Sequence, residues 1–184
     1  MPNWCFNELI VSGESEDLAK FREMNEREGE LTFEALLPTP PELLKDDADA
    51  GWYDWRLKHW GTKWDATKLD DTKVAPAEGD GRLVYTFHTA WSPPLAWVQS
   101  EARTFPGLKI DCGFYEPALE AAGLMRCHGD AIEHLDLAHF YSEYKGLPGA
   151  LIPLQKAFRE NGFEKTSESI GWLIADFEED APTG

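Results

Sequence analysis

The sequence predicts an α+β fold in which one antiparallel sheet carries two helices on one face. Three observations predict it. Segments with a two-residue apolar period alternate with segments of helical period, in the order strand, helix, strand, insert, strand, helix, strand. A length of 184 residues with 42% hydrophobic residues suits a single packed domain. No window approaches the roughly 18 consecutive apolar residues of a membrane span. That order is the one found in ferredoxin-like βαββαβ sandwiches. It assigns residues 1–120 to the sandwich, with an insert at 38–81, and residues 121–184 to a C-terminal extension packed on the same domain. The term describes topology, because the cysteines lack iron–sulfur spacing.

The elements follow in chain order. Residues 3–12, NWCFNELIVS, have strand composition with large apolar groups on both alternating faces, as a doubly covered strand requires. Ser15 is placed to cap a helix running to about Arg27, with Glu16 and Asp17 in the first turn, where the macrodipole favours acids. Leu18 and Phe21 give that helix its apolar stripe, and Gly29 stops it. Leu31–Leu37 alternates and is assigned as the second strand. After a proline-rich and acidic loop, Trp52, Trp55 and His59 fall at helical spacing. Arg82–Trp91 alternates over its full length and is a strong strand. Ser92-Pro93 marks the start of a helix with Leu95, Val98, Ala102 and Phe105 on its buried side. Residues 108–116 alternate again. Beyond them, residues 124–135 suggest a hairpin turning near Gly129-Asp130, residues 138–144 and 149–161 suggest helices, and Ile170–Phe177 suggests a final strand.

Charge and cysteine content narrow the function. The chain carries 34 acids against 17 bases, a formal net charge of −17. A direct grip on nucleic-acid phosphates by a basic surface is therefore not expected. The first residues lack the basic and apolar regions of a signal peptide. Three scattered cysteines, Cys5, Cys112 and Cys127, read as reduced thiols of a cytoplasmic protein. The acids are unevenly spread. Residues 1–50 hold 13 acids and 4 bases, whereas residues 51–100 balance 6 against 6 and carry six of the eight tryptophans. An acidic face and a neutral aromatic block are thus the two places to look for function.

The acidic face comprises Glu16, Glu23, Glu26 and Glu30 on the first helix, extended by Asp46, Asp47 and Asp49 in the loop. Seven-residue spacing of Glu16, Glu23 and Glu30 would put them on nearly one side. A solvated helix face explains such acids too, but the excess surpasses what solubility needs. The aromatic block centres on WGTKWDA at 60–66. There Trp60, Thr62, Lys63, Trp64 and Asp65, with Trp91 and the strand-terminal Glu116, form the candidate ligand site. Packing of the insert onto the sheet is the plainer reading of its indoles, and Trp60 and Trp64 are expected to be largely buried.

Other chemistry is disfavoured. His88 lies four strand residues from Ser92, roughly 13 Å away, too far to act as its base. Cys127, His128, Asp130, His134 and His139 gather ligand-type side chains without CxxC, HExxH or HxxxH spacing, so no metal is expected. No phosphate-binding glycine loop is present, and no cofactor is expected.

Five blocks, MPNWCFN at the start, LTFEALLPTPPEL at 31–43, HWGTKWDA at 59–66, YTFHTAWSPP at 85–94 and FYEPALEAAG at 114–123, resemble the YubB/Api92-like family. Its members carry a ferredoxin-like domain and travel mostly on bacterial plasmids, phages and genomic islands. The resemblance implies the same fold and a protein that serves a mobile element within its host. It brings no catalytic residues with it. The favoured expectation is a non-enzymatic acidic interaction protein of a mobile element. Its partner would be a basic host protein, such as a nucleic-acid-binding defence complex that it inhibits. The alternative is an enzyme or small-molecule-binding protein that uses the WGTKWDA block.

Overall fold

A computed structural model describes residues 3–45, 51–70, 72–118, 121–144 and 149–179. In chain order the elements are β1 (Trp4–Ser12), α1 (Ser15–Asn25), β2 (Glu26–Arg27), β3 (Glu30–Leu31), α2 (Gly51–His59), β4 (Ala77–Gly79), β5 (Arg82–Ala90) and α3 (Leu95–Thr104). They continue with β6 (Lys109–Glu116), β7 (Ala121–His128), β8 (Ala131–Asp136), α4 (His139–Glu143), α5 (Leu151–Glu160) and α6 (Glu164–Glu179). Among the described residues the result is a mixed α+β fold with six helices and a six-stranded sheet ordered β4-β5-β1-β6-β7-β8. Every neighbouring pair in that sheet is antiparallel.

β1 lies inside the sheet, paired with β5 on one side and β6 on the other. Its apolar groups on both faces have a use on both. Leu9 and Val11 join a core with Leu18 and Phe21 of α1 and Trp97, Val98 and Ala102 of α3. Phe6 and Ile10 pack against a second core built from Leu151, Leu154, Phe158, Phe163 and Ile170 of the extension. Helices α1 and α3 thus share one face of the sheet, and the extension covers the other. Gly113 of β6 shows how the extension docks. A Cβ there would stand 2.6 Å from the Phe163 ring, so only glycine admits this aromatic to the sheet.

Several expectations need correction. The segment 31–37 does not enter the main sheet. Leu31 pairs with Glu26 in the small β2–β3 hairpin and donates its N–H to Val74 O, and Phe33–Ala35 forms a 3-10 turn. Its alternation is satisfied differently. The turn drops the fully buried Phe33 between Trp60, Phe87 and Trp97, with ring centroids 4.8–5.9 Å away. The sheet is also larger than the four-stranded sandwich expected, because β7 and β8 extend it beyond β6. Ile170–Phe177 is helix, not strand. Ile170, Leu173, Ile174 and Phe177 recur at helical spacing, and the first of these is fully buried. Finally, neither serine caps its helix. Residues Glu14 and Pro94 take the two N-cap positions, without side-chain bonds, and Ser92 donates to Gly61 O at 2.7 Å instead.

The hairpin at 124–135 is present as β7 and β8, turning through Gly129 at φ +57°. The three cysteines are free and buried, and burial pushes each thiol above its ordinary range. No helix among the described residues is long and apolar enough to cross a membrane.

Candidate functional site

The WGTKWDA block divides into residues that build the fold and residues that face outward. Trp60 is fully buried, and its indole donates to Leu37 O at 2.9 Å. The Arg56 guanidinium lies 4.5 Å over its ring while pairing with Glu34 at 2.7 Å. Thr62 is also fully buried and donates to Ala90 O. Asp65 accepts the Thr32 hydroxyl and the backbone N–H groups of Phe33 and Ala66, the latter two at 2.7 Å. Burial raises its carboxyl pKa, and those hydrogen bonds work the other way. Asp65 thus holds the 3-10 turn at 33–35 against the insert. Gly61, at φ +90°, makes the turn that leads from α2 to Thr62; a Cβ there would press on Pro93 O at 3.1 Å.

Lys63 and Trp64 are the outward members. Trp64 is half-buried. The Lys63 ammonium sits 4.9 Å from the Trp91 ring centroid, 5.0 Å from Trp64, 5.7 Å from Tyr53 and 5.9 Å from Trp52. Each falls within cation–π range. Trp64 stacks on Trp91 at 6.4 Å, and Trp4 adds its ring to Trp64 at 5.9 Å. Trp91 is 37% exposed and adopts φ 66°. For a bulky residue that conformation costs about 1–3 kcal/mol and persists only where the surroundings enforce it. Glu116 is buried at the end of β6, beside Cys5 and so at the same end of the sheet as Trp4, where it accepts the Ala118 N–H and its charge acts on the Cys5 thiol.

The acidic face is reshaped. Because α1 ends at Asn25, Glu26 and Glu30 leave the helix for the β2–β3 hairpin. Glu26 turns inward, binds Arg22 at 3.1 Å and accepts the Tyr85 hydroxyl at 2.8 Å. Glu30 is half-buried in a cleft of about 470 Å³ with Arg27 and Lys68. Glu16 and Glu23 remain exposed on α1, and Glu16 pairs with Lys20 at 2.9 Å. Asp46, Asp47 and Asp49 lie outside the described residues.

What α1 does form is a groove of about 540 Å³ against the α3–β6 turn. Its rim carries Asp17, Lys20 and Glu23, and its lining includes Met24 (42% exposed), Phe105 and Leu108. Sequence reasoning missed this groove, since its two sides are some 80 residues apart in the chain. It also missed Trp4 and Tyr53 beside Lys63. The aromatic count around residues 52–64 was the available signal for Tyr53.

Two buried acids also escaped notice. Glu8 of β1 accepts the Thr166 N–H at 2.7 Å and its hydroxyl at 2.8 Å, capping the first turn of α6. Glu101 of α3 is fully buried and receives the Asn25 amide at 2.8 Å. Burial pushes its pKa up to about 8. His88 is driven down to about 4 by burial, with the Lys68 charge adding to the effect. No group of three or more His, Cys, Asp or Glu side chains that could hold a metal occurs among the described residues, and His134 instead stacks on Phe114. No family model, curated protein or solved structure matches this chain.

Proposed function

We propose that this is a non-enzymatic acidic interaction protein that binds and modulates a basic host protein, such as a nucleic-acid-binding defence complex, through the α1 groove. The observation that carries the reading is the groove's make-up: Asp17 and Glu23, with Lys20 between them, flank the exposed Met24, over Phe105 and Leu108 buried beneath it. An amphipathic segment of a basic partner meets both needs, apolar contact with Met24 and opposite charge at the edge. The net charge of −17 steers such a partner from a distance and repels nucleic acid itself. The resemblance to the YubB/Api92-like family supports the mobile-element setting.

The test is an affinity pull-down from host lysate at low and high salt, comparing wild type with the Asp17→Lys/Glu23→Lys variant. Glu26 is excluded from the variant because it is bonded to Arg22 and Tyr85 inside the fold. The wild type captures a basic protein at low salt, and capture weakens as screening shortens to a Debye length of about 8 Å. The double variant, folded by circular dichroism, loses the protein. Equal capture by both variants would refute the reading.

A further inference from the structure

Lys63 and its rings lie at the opposite end of β1 from the α1 groove. Trp4 and Ala90 pair at one end of that strand, and Ser12 meets Lys109 at the other. We propose that the Lys63 cluster binds a small anion carried on a flat ring, such as a nucleoside monophosphate or an aromatic carboxylate. The Lys63 ammonium meets the anion, and Trp91 and Trp64 offer their faces to the ring.

Three observations converge on this chemistry. First, the chain has twice as many acids as bases, yet no carboxylate among the described residues comes within 4.0 Å of the Lys63 ammonium. Among the described residues, its charge lies against the faces of four rings. That sets the sign of the ligand. A second cation would be repelled by the one already seated, whereas an anion finds an uncompensated partner. Second, residues 51–100 balance six acids with six bases, so the segment that supplies the site has no net charge to repel an anion. Third, β5 ends in a strained turn that presents the Trp91 indole to water beside Trp64, its near-parallel neighbour. Exposed ring faces of this kind accept a flat partner by stacking, with little regard to its identity. The block's inward members, the buried Trp60 and Thr62 and the half-buried Asp65, then serve as the rigid support for the outward ones.

Isothermal titration calorimetry at low salt tests the site with four probes: adenosine 5′-monophosphate, indole-3-acetate, adenosine and inorganic phosphate. At least one of the two ring-bearing anions binds. Which one binds distinguishes a phosphate from a carboxylate source. Adenosine and inorganic phosphate each bind at least about tenfold more weakly than that anion, as loss of a charge-assisted contact or of stacking predicts. Lys63→Gln, at a half-buried surface position, removes the advantage of the anion, and Lys63→Arg restores it. Trp91→Gly deletes a ring and relieves the backbone, so it weakens the ring-bearing anion while the protein stays folded. The proposal is overturned if neither ring-bearing anion binds. It is also overturned if Lys63→Gln binds as wild type does, or if phosphate alone binds as tightly as the nucleotide. None of these outcomes bears on capture of a protein at the α1 groove.

Discussion

Glu101 is the residue whose environment departs most from its chemistry. It sits on α3 with no exposure, takes one hydrogen bond from Asn25 and keeps its proton up to about pH 8. Its second oxygen, the Asn25 side-chain oxygen and the Trp97 indole N–H have no hydrogen-bond partner among the described residues. The folded state therefore holds a proton that the unfolded chain, with an ordinary carboxyl near 4.5, has already released. Between those two values the folded state binds more protons, so stability falls as pH rises, by about 1.4 kcal/mol per unit at most, and levels off above 8. Glu101→Gln removes this dependence. The difference in urea-unfolding free energy between the variant and wild type should grow from pH 5 to 8 and then stay constant. A constant difference across that range would show that Glu101 is ionised when folded. None of this was legible in the sequence. A lone glutamate on an otherwise amphipathic helix reads as solvent-facing, and only the packing of α1 onto α3 puts Asn25 opposite it. Trp60 and Asp65 were legible as a distinctive pair, but their roles were not. Whether an aspartate holds a turn or a ligand depends on partners such as Thr32 and Phe33, which are more than thirty residues away.

Elements were read well where period and local turn chemistry agreed. The strands at 4–12, 82–90 and 109–116 and the hairpin across Gly129 follow from alternation and a glycine turn. The misread segments had apolar residues that fit two periods. Ile170–Phe177 has enough β-branched and aromatic character for a strand, yet its spacing of three and four residues is what buries Ile170 as a helix. What fixes the start of that helix is distant in sequence. Glu8 reaches from β1 to accept both the Thr166 N–H and hydroxyl at 2.7–2.8 Å. Glu8→Ala leaves both groups buried without that acceptor and should cost about 1–3 kcal/mol. Hydrogen exchange should localise the change to the first turn of α6 and the adjoining part of β1. Unaltered protection there would mean that α6 is held by its apolar face alone.

At the scale of the molecule, the two faces of the sheet are closed by different parts of the chain. Helices α1 and α3 cover one, and the C-terminal extension covers the other through Phe158, Phe163 and Ile170. A chain truncated after Asp136 would expose the apolar groups of Phe6, Ile10, Tyr115 and Leu124 across that second face. Burial of such groups is worth roughly 1.5–3 kcal/mol per side chain, and the total stability of a domain is commonly about 5–15 kcal/mol. The truncated chain should therefore lose its near-ultraviolet circular dichroism and bind a hydrophobic dye. A cooperative, dye-free truncation product would mark residues 3–136 as an independent unit. The doubly apolar pattern of β1 already announced the second layer, though not which segment supplies it.

The burial of the three thiols has a use of its own. Cys5, Cys112 and Cys127 lie on strands β1, β6 and β7, adjacent or next-but-one in the sheet, and all are held in the unreactive protonated form. An alkylating reagent reaches them only when those strands part. The rate at which the folded protein takes up label is then a direct clock for sheet opening, and the order in which the three sites are marked dates the separation of each strand. Nature has in effect placed three silent reporters along the seam of the molecule, readable by mass without engineering a single residue.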